Sequence, residues 1–269
     1  MLAYPVPGSP EVFIPLLVTA RHNLIDRTTG HPLPKVVLRY SSKGGAPPLS
    51  TVYDLETARS SGDYWEHSDP GVDITIVRTP HREQTEYEPL PLSLVASESQ
   101  FKQLDIKATD RVIYPTLLSY FTGKTRNCPV MRDGMIALIA EEPIPVRSSF
   151  SSGSRDSEQR VILLDGFSVP GASGSPVFLS PTPRRVRGSL DLGGTQPFLV
   201  GVMHGFALEK PGHVVEVSSD PAKPRSRENA GVAVVFPSWR VLEILGMKRA
   251  ETRLQQLVDL ILRDRVRSD

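Results

Sequence analysis

Short apolar runs, separated by chain breakers, set the pattern of this sequence. Residues 12–19, 35–40, 72–77, 111–114, 134–139, 160–164, 197–203 and 231–236 are rich in β-branched or large apolar side chains. The 25 Pro and 20 Gly are spread between them. Short strands at this spacing, with turn signals between, predict an all-β sandwich or barrel. The helical pattern is clear only near the C-terminus. There Leu254, Leu257, Val258, Ile261 and Leu262 follow the i, i+3, i+4, i+7, i+8 spacing of one apolar face. Ser238 is placed to cap a preceding helix that ends at Gly246. Stretches 41–48, 145–158 and 220–229 read as loops, and the basic runs at 184–187 and 221–225 as solvated loop segments.

A chain of 269 residues suits one large β domain or two small packed ones. Two barrels of about six strands would fit that length, with a boundary near residue 106. With 39% hydrophobic and 23% charged residues, a normal globular core is expected. A formal net charge of +1 gives no pull toward nucleic acid or an acidic membrane. The single cysteine, Cys128, excludes an intrachain disulfide and points to a reducing compartment. No run approaches the ~18 apolar residues of a membrane span. The first residues lack a basic start, and their apolar run is broken by Pro15, so no signal peptide is expected. The expectation is a cytoplasmic protein with no nucleic-acid or membrane partner.

The chemistry question centres on FSVPGASGSPVF, residues 167–178. A hydroxyl is a weak nucleophile unless a base lies within reach and an acid orients that base. Among six histidines, His22 stands out because it directly follows the apolar strand in LLVTARHNL, residues 16–24. In DPGVDITIV, residues 69–77, Asp73 stands where a turn becomes a buried strand. An acid there needs a partner, because burying it alone is costly. Asp69 is the better turn cap. Gly171 permits backbone angles that would let the N–H groups of Gly171 and Ser173 point at one spot, as an oxyanion hole requires. Taken singly, each feature also has a plain reading: a half-buried histidine, a turn cap, a tight turn.

Together these three stretches resemble the trypsin-like (chymotrypsin-fold) serine peptidases. TARH is similar to that family's TA-x-H box, VDITIV to its D-I-A-V strand, and GASGSP to its G-x-S-G-G/S-P box, in the same order along the chain. DRVIYP (110–115), FLVGVMHG (198–205) and AGVAVVFPSWRVLEIL (230–245) resemble later strands and the closing helix. The likeness covers about residues 2–247 and is nearest to disulfide-free bacterial members, some with an R-N-x-P-x-x-R-x-G-x-I-A segment, here RNCPVMRDGMIA (126–137). It implies two packed six-stranded antiparallel β-barrels with a C-terminal α-helix: a barrel over 1–106 carrying His22 and Asp73, a second over 107–237 carrying Ser173, and a helical segment over 238–269.

The resemblance also implies roles. Ser173 is the nucleophile, His22 the base, Asp73 its orienting acid, and the N–H groups of Gly171 and Ser173 the oxyanion hole. Phe167 would lie at the base of the primary pocket and Ser168 on its wall, with Met203, His204 and Gly205 on the strand lining the cleft. No acid stands at the pocket base, so a small or medium apolar side chain is expected there rather than Lys or Arg. The implied reaction is peptide-bond hydrolysis through an acyl-enzyme, on a protein or peptide substrate, without cofactor.

Three departures matter. Ala172 replaces the Asp that pairs with a new N-terminus in zymogen-type relatives, so control is expected from loop ordering or a regulatory partner. The chain opens at MLAYPVP inside the family's first element, so either the start lies upstream or the first barrel lacks a strand. His204 stands where many relatives have Ser near the catalytic Asp, and could perturb the triad, touch substrate or pack. Two rivals are weighed. An α/β-hydrolase would need a complete G-x-S-x-G elbow, but position 175 is Ser. A catalytically silent barrel that binds a peptide or partner is the alternative from another class. No H-E-x-x-H or Cys/His spacing suggests a metal.

Overall fold

Alternating apolar positions pair into antiparallel strands along most of the chain. The computed structural model describes every residue except 27, 119–120, 148–155, 167, 169–170, 182, 187–188, 192–195, 209–228 and 267–269. The first half contains β1 (Leu2–Val6), β2 (Ser9–Ala20), β3 (Lys35–Ser42), β4 (Leu49–Asp54), β5 (Tyr64–Glu66), β6 (Ile74–Arg78), β7 (Thr85–Glu86) and β8 (Leu90–Pro91). The second half contains β9 (Arg111–Thr116), β10 (Val130–Ile139), β11 (Ile144–Arg147), β12 (Asp156–Gln159), β13 (Ile162–Asp165), β14 (Pro176–Leu179), β15 (Arg184–Val186), β16 (Ser189–Asp191), β17 (Leu199–Leu208) and β18 (Asn229–Pro237).

One six-stranded barrel closes, in the order β10-β13-β18-β17-β14-β9, and every neighbouring pair is antiparallel. Alternate residues fill it: Val112 and Tyr114, Ile162 and Leu164, Val177 and Leu179, Ala233 and Val235 are buried in one cluster. The first half departs from the expected barrel. Its strands form a five-stranded sheet, β5-β6-β2-β1-β8, and a separate three-stranded sheet, β4-β3-β7. Among the described residues these two sheets share no strand pairing. The chain crosses between them more than once, and the last crossing joins β7 to β8, each two residues long, with Pro89 between them and Pro91 within β8. Proline offers no N–H to a ladder, so neither Pro89 nor Pro91 can donate to extend the pairing.

The outer faces of β17 and β18 contribute Val202, Val234 and Phe236 to a second core. That core also holds Leu16, Trp65, Ile74 and Ile76 of the first half, and Val241, Ile244, Leu254 and Val258 of the C-terminal helices. The buried cluster therefore joins segments the sequence reading assigns to three separate domains. A polar clamp adds to it. Arg39 of β3 donates to Asn127 Oδ1 at 2.5 Å and to the carbonyl of Gly123 at 2.6 Å, and Asn127 Nδ2 donates back to the Arg39 carbonyl at 3.0 Å.

Among the described residues there are four α-helices: α1 (Leu55–Ser60), α2 (Glu98–Gln103), α3 (Trp239–Leu245) and α4 (Lys248–Val266). The first two were not read from apolar spacing, being barely two turns long. Their caps were legible: Asp54 accepts from Thr57 N at 2.8 Å, and Ser97 with Gln100 forms a capping box. Ser238 precedes α3 but does not cap it, because its hydroxyl donates to the Ala96 carbonyl at 2.6 Å. Helix α4 docks on the first half through Ala250, Leu254 and Val258, with Arg253 Nε on Asp63 Oδ1 at 2.7 Å. Arg184–Val186 of the first basic run form β15, paired with β16, rather than a loop, and the run at 221–225 lies outside the described residues. No helix among the described residues is long and apolar enough to cross a membrane.

Candidate active site

Strand β2 ends at Ala20 and turns at once into a 3-10 turn, Arg21–Leu24. This lifts His22 off the sheet edge. Asp73 stands one residue before β6, the hydrogen-bonded neighbour of β2, and the Arg21 N–H donates to the Asp73 carbonyl at 3.2 Å. Adjacent strand ends thus bring the two side chains together. The His22 N–H donates to Asp73 Oδ1 at 3.0 Å, and its ring Nδ1 lies 2.6 Å from Asp73 Oδ2. Asp69, as expected, takes the turn: Gly71 N–H donates to its Oδ1 at 2.8 Å.

Asp73 is buried, yet its carboxyl is held below the ordinary carboxylate value. Burial pushes it up, and the hydrogen bonds and charge of His204 and His22 outweigh burial. An ionised carboxylate only accepts, so both histidines present Nδ1–H to it. The second bond is the unexpected one: His204 Nδ1 also lies 2.6 Å from Asp73 Oδ2. Strand alternation explains why His204 reaches it. On β17, Val202 points out toward the first half, Met203 points into the barrel core, and His204 points out again. A register shift between Met203 and Gly205 puts a bulge at His204, a device that re-aims a side chain. Its ring meets the edge or face of Phe236 at 5.5 Å and of His22 at 5.7 Å, both near-perpendicular.

Ser173 lies in a turn just before β14. Gly171 and Gly174 flank it with φ of 97° and 85°, angles that favour glycine. The turn is pinned to β17 by Gly174 N–H on the Met203 carbonyl at 2.8 Å and by Met203 N–H on the Ser175 carbonyl at 2.9 Å. It is pinned to the histidine segment by Asn23 Nδ2, which donates to the Ser173 carbonyl at 2.9 Å. The Ser173 hydroxyl donates to the His204 carbonyl at 2.9 Å. Among the described residues that is its hydrogen bond, rather than one to the His22 ring.

The fold thus gathers His22, Asp73, Ser173 and His204 at one place, between the first half and the barrel. Of the remaining candidates, Gly171 is exposed beside Ser173, Gly205 is half-buried, and Ser168 is buried. The Met203 side chain is fully buried in the barrel core rather than lining a cleft. Phe167 lies outside the described residues. Ala172 is fully buried, which leaves no room for a charged partner at that position without a burial cost. Asn23 was missed in the sequence, since nothing local distinguishes it from any polar residue after a histidine. The sequence also gave no metal-binding spacing, yet His22, Asp73 and His204 place three ligand-type atoms within 4.8 Å of one another.

No family model and no characterised protein sequence matches the chain. Among solved structures it is similar to the apo crystal structure of the MamO protease domain from Magnetospirillum magneticum. The match has 12% identity and a TM-score of 0.48, and it covers 88% of this chain and 89% of that one.

Proposed function

We propose that this chain is a serine endopeptidase with Ser173 as nucleophile, His22 as general base and Asp73 as orienting acid. The observation that carries the reading is the His22–Asp73 pair, with Nδ1 2.6 Å from Oδ2, buried beside a serine held on a glycine-flanked turn.

With Nδ1–H given to Asp73, the lone pair of His22 sits on Nε2. For attack, the Ser173 hydroxyl turns from the His204 carbonyl to His22 Nε2. The oxygen adds to the substrate carbonyl and its proton passes to His22. The N–H groups of Gly171 and Ser173 bind the oxyanion, and one such donor is worth on the order of 100- to 1000-fold in rate. His22 then protonates the leaving amine, and water repeats the sequence on the acyl-enzyme. The first half acts as the base-bearing part, two sheets in place of a second barrel, and the closed barrel as the nucleophile-bearing one. The preferred substrate side chain before the scissile bond is small or medium and apolar, set by Phe167 and Ser168.

One observation favours a second reading. The hydroxyl rests on a backbone carbonyl instead of the base, as suits a silent barrel that binds a peptide or partner. A fluorophosphonate probe separates the two. Labelling that disappears in Ser173→Ala and His22→Ala supports the peptidase; folded protein that never labels supports the binding module.

A further inference from the structure

Three buried ligand-type side chains converge on one point. Asp73 Oδ2 lies 2.6 Å from Nδ1 of His22 and 2.6 Å from Nδ1 of His204, with side-chain exposures of 1%, 11% and 9% for Asp73, His22 and His204. We propose that His22, Asp73 and His204 bind one divalent transition-metal ion of the zinc class, and that loading the site disables His22 as a base. The binding claim stands on the geometry alone; the inhibition claim rests on the peptidase reading above.

The donor set is the first argument. Two imidazole nitrogens and one carboxylate oxygen match zinc sites with three protein ligands and an open fourth position, whereas magnesium and calcium want oxygen donors. Charge is the second. A dication bound beside the buried Asp73 carboxylate neutralises its negative charge where water cannot. Geometry is the third. Metal–ligand bonds of about 2.0–2.2 Å in a tetrahedron place ligand atoms roughly 3.3 Å apart. The present 2.6 Å separations must therefore open by less than the length of a bond. Asp73 Oδ1 stays anchored on the His22 N–H at 3.0 Å while Oδ2 shifts. The perpendicular packing of His204 on Phe236 and His22 holds both rings facing the oxygen.

Proton balance gives the consequence. When both rings are neutral, each gives its Nδ1 lone pair to the metal and moves its proton to Nε2, with none released. His22 Nε2 then bears hydrogen and cannot accept the Ser173 proton. His204 is the deciding ligand, because replacing it by serine leaves two imidazole or carboxylate ligands only.

The test measures Zn2+ by titration calorimetry and Co2+ by visible absorption, on chelator-stripped Ser173→Ala protein, so that binding is read without activity. One ion per chain is expected, with a visible Co2+ band of tetrahedral intensity. Adding His204→Ser should weaken binding by more than the roughly 10- to 100-fold that loss of an outer-shell partner costs. His22→Ala serves as the second variant should His204→Ser fail to fold. No stoichiometric zinc binding, or parent affinity retained in these variants, overturns the proposal. With Ser173 intact, zinc should suppress fluorophosphonate labelling, and the ratio of labelling with and without zinc should return to one in His204→Ser. Stoichiometric zinc binding to a protein that never labels sinks the peptidase reading alone. Labelling without zinc binding sinks the metal site alone.

Discussion

Ser173 Oγ donates to the carbonyl oxygen of His204 at 2.9 Å, while the ring of His204 holds Asp73 at 2.6 Å. One residue thus touches Ser173 with its backbone and Asp73 with its side chain. The two contacts separate under mutation, since a side-chain change leaves the carbonyl in place.

His204→Ala should therefore keep the serine anchor and remove one donor from Asp73. The loss of one hydrogen bond to a buried charge predicts a fall in kcat of about 10-fold. KM should hardly move, and His204→Ser should restore most of the loss by supplying a hydroxyl donor. Steady-state kinetics on an apolar reporter peptide checks both. A rise in KM with kcat unchanged would assign His204 to substrate contact instead.

Asp73→Asn places an amide where two Nδ1–H groups need an acceptor. Both rings meet the same Oδ2 and the His22 backbone N–H meets Oδ1, so an amide whose oxygen stays on that N–H turns its NH2 toward both rings. On the peptidase reading, His22 is then driven to the wrong tautomer, and kcat should drop on the order of 10⁴-fold, the cost known for this change in Ser-His-Asp triads. A pre-steady-state ester burst resolves whether acylation is the step lost.

Gly174→Ala should damage the site more than the fold. The residue has φ +85°, and an added Cβ would lie 2.6 Å from Thr19 Oγ1 and 3.1 Å from Ala20 N. Both belong to the end of β2, the strand that delivers His22. The turn must back away, carrying Ser173 with it, so labelling should fall by about 100-fold or more for a misplacement near 1 Å. Thermal unfolding read beside labelling separates misplacement from unfolding.

Asp63→Asn should loosen the C-terminal helix. Asp63 is buried and accepts from Arg78 Nε at 2.9 Å and Arg253 Nε at 2.7 Å. Burial pushes its carboxyl up, but the hydrogen bonds from Arg253 and Arg78 outweigh it and hold it below the ordinary value. A depressed folded value means this stabilisation is fully present above about pH 4, the unfolded carboxylate value, and is lost as pH falls through the folded one. Denaturant unfolding near neutral pH should show a loss of about 2 kcal/mol, since both arginines are partly exposed and can rehydrate. The difference between parent and variant should shrink in acid. An unchanged difference at low pH would contradict the assignment.

Much of the local structure was legible in the residues. The short apolar runs at 111–114, 160–164 and 231–236, bounded by turn signals, marked strands, because a strand buried in a sheet shows as a few consecutive apolar residues between chain breakers. The turn at 171–175 announced itself through glycines that the structure holds at positive φ. His22 after an apolar strand and Asp73 entering one were readable as strand-end side chains. The short helices α1 and α2 escaped the apolar pattern because six residues cannot display a 3.6-residue period, though their caps were in plain sight.

What the chain could not declare by itself is which distant segments meet. The expected closure of the first half depends on hydrogen bonds between strands far apart in sequence, and two-residue strands beside prolines supply too few. The sharing of Asp73 joins His22, 51 residues away, to His204, 131 residues away. Local preference sets strands, caps and turns, since those interactions span a few residues. The second imidazole on Asp73 follows from a bulge in β17 and the packing of that strand against the first half, which only the assembled tertiary structure decides.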